Sequence, residues 1–175
     1  MTQNTTMPIL PLLNSRFSPR EFLQEPVSQE HRELLFEAAR WSPSSYNRQP
    51  WFYYYAMQST AGFETLAQSL TEGNAWAKKA SLLILGCYID SDERGKNDYG
   101  QYDLGQSTFS LVMQAQFLGY YSHQMGGFDK KKAKTLLQLP PEHIPHVMIA
   151  IGKIGNEDKK DLGRTRKVTL AEKVE

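Results

Sequence analysis

Arg16, Ser18 and Arg20 alternate in the stretch RFSPREF, Arg16 to Phe22. In an extended segment, alternate side chains project to one side. Two guanidiniums and a hydroxyl would then face a single anion, and the planar donor fork of arginine matches phosphate geometry. The same residues also suit a solvated basic turn ahead of a helix. Arg164 and Arg166 repeat the alternation in GRTRKV, where a charged, disordered end is the other reading.

Two further stretches carry chemistry. In SPSSYNRQPWFYYYA, Ser42 to Ala56, the residues Pro43, Ser44, Ser45 and Asn47 precede Gln49-Pro50-Trp51 and a block of aromatics. Their short polar side chains can bond the polar edge of a ligand or simply satisfy a turn. In HQMGGFD, Gly126 and Gly127 allow the backbone to approach a flat heterocycle closely, or form a plain entry into the following helix.

These groups need elements to position them. Ser28 is a helix N-cap, with Glu30 in the first turn and Leu34, Leu35, Ala38, Ala39 and Trp41 at helical spacing, up to Pro43. Trp51–Met57 reads as a strand and Thr60–Leu70 as a short helix stopped by Gly73-Asn74. Ser81–Ile89 reads as a central strand, followed by a polar loop, SDERGKNDYG. Leu104–Leu118 reads as a buried helix, with Leu104, Phe109, Leu111, Val112, Ala115 and Leu118 inward and Gly119 closing it. Asp129 caps a lysine-faced helix that Pro140-Pro141 breaks, and His146–Gly152 is a second clear strand. Helices and strands interleave without a βαβ rhythm, and neither G-x-G-x-x-G after a first strand nor a P-loop occurs. The expectation is a single α+β domain over residues 1–175 with a small mixed or antiparallel sheet flanked by helices.

Composition narrows the classes. The chain has 175 residues, 40% hydrophobic and 22% charged, enough for one domain with a substantial core. A net charge of +1 gives no argument for nucleic acid or an acidic surface. The one cysteine, Cys87, lies in the apolar run LLILGCYI and reads as a buried inert thiol; no zinc-type cluster is visible. The first residues, MTQNTTMPILPLL, lack the basic and apolar regions of a signal peptide, and no apolar stretch would span a bilayer. A cytoplasmic setting, with no membrane and no nucleic-acid partner, is the expectation.

Taken in order, R-x-S-x-R, then P-S-S-x-N-x-Q-P-W, then G-G-F-D, then R-x-R resemble the FMN-dependent nitroreductase family. LLQLPPEHIPHVMIAIG is similar to that family's closing strand region, so the resemblance covers nearly the whole chain. It implies an intertwined α+β homodimer whose C-terminal arm, here about residues 158–175, wraps the partner, with FMN in the interface. The Arg16–Arg20 stretch, Phe17 included, would bind the cofactor: Arg16 and Ser18 at the phosphate with Arg164 and Arg166, and Arg20 beside N1–O2 of the ring. Pro43 to Gln49 would form the cofactor lip, with Ser44, Ser45 and Asn47 supplied by the other subunit. A Gly126 or Gly127 amide would point at flavin N5. Asn74 would meet the pyrimidine edge; Lys78 or Lys79 is a weaker candidate.

The resemblance further implies hydride transfer from NAD(P)H through the flavin to nitroaromatic, quinone or similar acceptors in ping-pong order. The flavin carries that chemistry, so no side chain needs a catalytic role. His31 then reads as a first-turn surface residue, His143 and His146 as flanking a Pro-rich turn, and His123 as packing near the glycine pair. Tyr99 and Tyr102, with the Asp92–Gln101 loop, could line an open cleft or a solvated connector. The alternatives are a flavin dehydrogenase or oxidase without a nicotinamide donor, a non-catalytic flavin-binding redox module, and an aromatic nucleic-acid-binding domain.

Overall fold

A computed structural model of the protein describes residues 8–155, 171, 173 and 174. Its centre is a four-stranded sheet in the order β1 (Trp51–Met57), β2 (Leu82–Ile89), β6 (His143–Gly152), β5 (Tyr121–Met125), antiparallel at every pairing. Leu82, Leu83, Ile84 and Leu85 of β2 are all completely buried, which explains why that strand reads as an unbroken apolar run. Its alternate residues serve two cores. Leu83, Leu85 and Cys87 join Met148 and Ala150 on one face. Leu82 and Ile84 join Ile149 and Ile151 on the other.

The first face is covered by α3 (Ala61–Ala67), a 3-10 helix over Glu72–Lys79, and α5 (Lys130–Leu136). The second is covered by α2 (Gln29–Arg40) and α4 (Gly100–Phe117), which pack on each other. A short α1 (Pro11–Ser15) leans on α4, and a two-stranded ribbon, β3 (Ser91–Asp92) with β4 (Gly95–Lys96), stands apart from the main sheet.

Ser28 and Asp129 cap their helices as read from sequence, and Thr60 is a third cap. Ser28 Oγ accepts from His31 N, Thr60 Oγ1 from Phe63 N, and Asp129 Oδ1 from Lys132 N, each closing an orphan donor of a helix start. Gly119 turns the chain out of α4 with φ +75°, which a glycine adopts without steric cost. Lys153 Nζ then donates to the carbonyls of Leu118 and Gly119 and sits over the Tyr120 ring at 4.2 Å.

Several expectations are corrected. Gly73-Asn74 do not stop α3, which has already ended at Ala67; they lie inside the 3-10 helix. The polar loop after β2 folds part of itself into the β3–β4 ribbon. Helix α4 begins at Gly100, because buried Gly100 and Asp103 continue the inward face upstream of Leu104, a face that also takes in the polar but buried Ser107 and Thr108. Phe109 is not inward: it is 45% exposed, on a stripe with Tyr102 and Phe117. Strand β6 starts at His143, so His143 and His146 are strand residues beside Pro145. His143 is buried, and its Nδ1 is 2.7 Å from the Tyr54 hydroxyl. His31 is half-buried, with Nδ1 2.9 Å from the Tyr120 hydroxyl. Strand β5 was not foreseen, since YSHQM lacks an apolar alternation.

Ile149 is completely buried, opposite the equally buried Ile84 of β2 on one side and Gln124 of the edge strand β5 on the other. Ile149→Ala is expected to lower unfolding free energy by about 2–5 kcal/mol, read by urea denaturation, because the central strands cannot close on the cavity.

Candidate functional site

Strand β5 gathers one half of the expected site. The chain from Arg16 runs along it: the Phe17 ring meets Tyr121 at 5.0 Å, and the Pro19 carbonyl lies 2.7 Å from His123 Nδ1. The same His123 ring packs on Trp76 at 4.5 Å, tying in the 3-10 helix. Arg16 Nη1 donates to Ser18 Oγ at 3.2 Å, so the alternation does place the guanidinium and the hydroxyl together; Arg20 is exposed.

At the end of β5 the glycine pair is held from outside. The Gly127 carbonyl accepts from Thr71 Oγ1 (2.8 Å), Asn74 Nδ2 (2.8 Å) and Thr71 N (3.3 Å). Three donors on one oxygen fix the peptide plane that follows it. A Cβ at Gly127 would come within 2.6 Å of Asn74 Nδ2, so only glycine leaves this contact intact. A Cβ at Gly126 would meet nothing within 4 Å, so that backbone faces open space. Gly126 also borders a groove of ≈ 290 Å³ between α4, at Gly105 and Thr108, and β6, at His146. Burial, then the nearby Lys130, holds the His146 imidazole below its ordinary range. Asn74 thus has its amide nitrogen on the glycine loop. Lys78 is exposed, and Lys79 pairs with Glu21 at 3.1 Å.

The other half lies across the sheet. Pro43 to Gln49 connects α2 to β1, at the opposite edge from β5 but at the same end of the strands. Two strands intervene, a separation on the order of 15 Å. Tyr46, Asn47 and Gln49 are left-handed, with φ of 52°, 55° and 50°. Such a backbone costs about 1–2 kcal/mol per non-glycine residue, so something must hold it. Ser44 Oγ accepts from Gln49 N at 2.9 Å, and the buried Asp103 of α4 accepts from Ser45 N at 3.1 Å. Ser44 therefore satisfies its own turn, while the Asn47 side chain is exposed.

Within one chain, then, the Arg16–Arg20 stretch, Asn74 and the Gly126-Gly127 pair come together, and Pro43, Ser44, Ser45 and Asn47 do not join them. Arg164 and Arg166 lie outside the described residues. His123, Trp76, Thr71, Arg48, Asp92 and Asp103 were not singled out from sequence for these roles. A hydrogen-bonding residue amid packed aromatics gives no local signal of what it will tie together. The donor set along β5 suits a flat heterocycle with an anionic tail: guanidiniums and a hydroxyl at one end, open glycine backbone at the other. Among the described residues no group of three or more His, Cys, Asp or Glu could hold a metal ion, and no helix is long and apolar enough to cross a membrane.

Comparison with known proteins matches this frame. A profile of the nitroreductase family matches residues 13–83. A solved structure of an oxidoreductase containing FMN superposes with a TM-score of 0.84 at 34% identity, covering 89% of this chain and 81% of that one. A nitroreductase family protein from Streptococcus pneumoniae shares the fold, with a TM-score of 0.78 at 19% identity over 93% of this chain and 98% of that one. An uncharacterized 15.4 kDa protein of Mycolicibacterium smegmatis is 32% identical over 94 residues, 54% of this chain and 63% of its own length. An Archaeoglobus fulgidus protein provisionally named an NADH dehydrogenase/NAD(P)H nitroreductase is 24% identical over 156 residues, 87% of each chain. The chain belongs to the nitroreductase family.

The Arg48 side chain and the Arg94 amide hold the Asp92 carboxyl below its ordinary range, the Arg48 hydrogen bonds being the larger cause. A carboxyl lowered in the folded state adds stability that is present above its unfolded value, about 3.9, and is lost as pH falls through the folded value. The melting temperature of wild-type protein should therefore exceed that of Asp92→Asn above about pH 4, and the gap should close on further acidification.

Proposed function

We propose that the chain is an FMN-dependent NAD(P)H oxidoreductase working as a homodimer. The observation that carries this reading is the division of the donor set between two sheet edges. Each half is built and held, yet neither encloses a ligand alone. A second copy that brings its Pro43–Gln49 segment to the β5 edge of the first would complete two equivalent sites, as closed two-fold symmetry requires. The face available for such a copy is the α4 stripe, with Tyr102 67%, Phe109 45% and Phe117 71% exposed. Leu12 of α1 and Met113 join it around an apolar hollow of ≈ 460 Å³. Residues 158–175 would form the arm laid over the partner.

When bound, FMN supplies hydride exchange between NAD(P)H and a nitroaromatic, quinone or similar acceptor. The protein's own groups bind and orient. Arg16 and Ser18 would hold the phosphate, and by the family resemblance Arg164 and Arg166 would join them. Arg20 sets positive charge beside the pyrimidine ring, which favours negative charge there. The Gly126-Gly127 backbone approaches N5, and Asn74, besides steadying that loop, borders the ring's polar edge. Ser44, Ser45 and Asn47 of the second copy cover the ribityl side.

Support for FMN comes from the FMN-containing structural relative, and support for the nicotinamide from the Archaeoglobus protein's name. Purified protein should bind FMN, and NADH or NADPH should bleach it anaerobically, with parallel double-reciprocal lines in steady state. FMN binding without bleaching would favour the alternatives, a flavin dehydrogenase or oxidase without a nicotinamide donor or a non-catalytic flavin-binding redox module. Arg16→Ala should weaken FMN binding by about 10- to 100-fold, the worth of a charge-assisted hydrogen bond of about 1.5–3 kcal/mol, as read by flavin fluorescence titration. Phe109→Asp should shift sedimentation from dimer to monomer and release FMN along with it. Unchanged sedimentation would remove α4 from the interface.

A further inference from the structure

The lip residue Arg48 makes more side-chain hydrogen bonds than any candidate ligand beside it, and all of them go to the β3–β4 ribbon. Its Nε donates to Asp92 Oδ2 at 2.9 Å and its Nη2 donates to Asp92 Oδ1. The same Nη2 reaches the Gly95 carbonyl at 2.7 Å, and Nη1 the Lys96 carbonyl at 3.3 Å. The side chain is only 11% exposed. The ribbon also reaches back: Arg94 Nη1 donates to the Tyr46 carbonyl at 3.2 Å, and Asp92 Oδ1 accepts from Arg94 N at 2.8 Å. The lip and the β3–β4 ribbon are thus tied by one arginine from each, Arg48 and Arg94.

The residues so held are the strained ones. Arg48 itself is ordinary, with φ −69°, but it sits between left-handed Asn47 and left-handed Gln49, and the Arg94 bond lands on left-handed Tyr46. Nothing in the local sequence favours three such residues out of four; asparagine alone tolerates the region well. A backbone of this kind persists only where surrounding contacts over-determine it. We infer that Arg48 is a positioning residue. By gripping Asp92 and the two ribbon carbonyls, it holds the lip in the one conformation that presents Asn47 and Ser45 to the flavin. The inference rests on the proposed function, and it assigns the ribbon, so far a connector, to the site's geometry. A lysine could keep the charge at this position, but not the rigid fork of five donors that four acceptors around one side chain require.

The test uses full-length protein and FMN. Arg48→Gln should keep the dimer and a cooperative melt, and should raise the FMN dissociation constant roughly 10- to 100-fold, as removal of the residues that orient metal ligands does for metal affinity. The visible circular dichroism of the flavin that still binds should change, and Arg48→Lys should recover only part of the affinity. Asp92→Asn, which keeps side-chain size while removing the charge, should move both readouts in the same direction and serves if Arg48→Gln does not fold. Wild-type affinity and dichroism in Arg48→Gln or Asp92→Asn would overturn the inference alone. Wild-type protein that takes up no FMN would overturn the proposed function and this inference with it.

Discussion

Burial of β2 and β6 on both faces is the constraint from which the rest follows. Two neighbouring strands lined by Leu82 to Leu85 and Met148 to Ile151 leave no room for water or polar side chains between the central strands and their two cores. Every group able to bind a polar ligand is therefore displaced to the two sheet edges or to the ends of the strands. The edge strands are correspondingly mixed in character. β1 carries exposed Phe52 and Tyr55, and β5 alternates half-buried Tyr121 and His123 with buried Ser122. The splitting of the donor set is thus a geometric outcome of how the core is built.

Each edge is then fixed by polar residues reaching in from elsewhere. At β5, His123 joins the N-terminal segment to Trp76, and Asn74 and Thr71 share the Gly127 carbonyl. At the β1 edge, Asp103 reaches the lip from a helix and Asp92 reaches it from a ribbon. In both places loops supply the groups that would touch a ligand, and the regular elements supply what keeps those loops still. That division of labour suits a site whose residues must be held to within a fraction of an ångström.

Much of this was legible in the sequence because local chemistry decides it. The caps at Ser28 and Asp129 and the strands at 51–57 and 81–89, the second one residue shorter in the structure, follow from single residues or short patterns, as does the placing of Arg16 and Ser18 on one side of the chain. What stayed hidden depends on partners far along the chain. YSHQM becomes a strand only because β6 lies beside it, and Phe109 fits helical spacing equally well whether it faces in or out. Asn74 was singled out for a ligand edge, yet in the structure its amide nitrogen serves Gly127, fifty-three positions away. The resemblance implied that Ser44, Ser45 and Asn47 come from the other subunit; spacing alone could not have suggested it.

Cys87 has a practical consequence. Its side chain is completely buried, and burial pushes the thiol up to about 12, so at neutral pH essentially no thiolate exists and none of it meets solvent. As the chain has one cysteine, alkylation by a maleimide should be silent while β2 stays sealed and complete once it opens. The protein therefore carries its own single-site chemical clock for opening of the central strand, one that needs no engineered label.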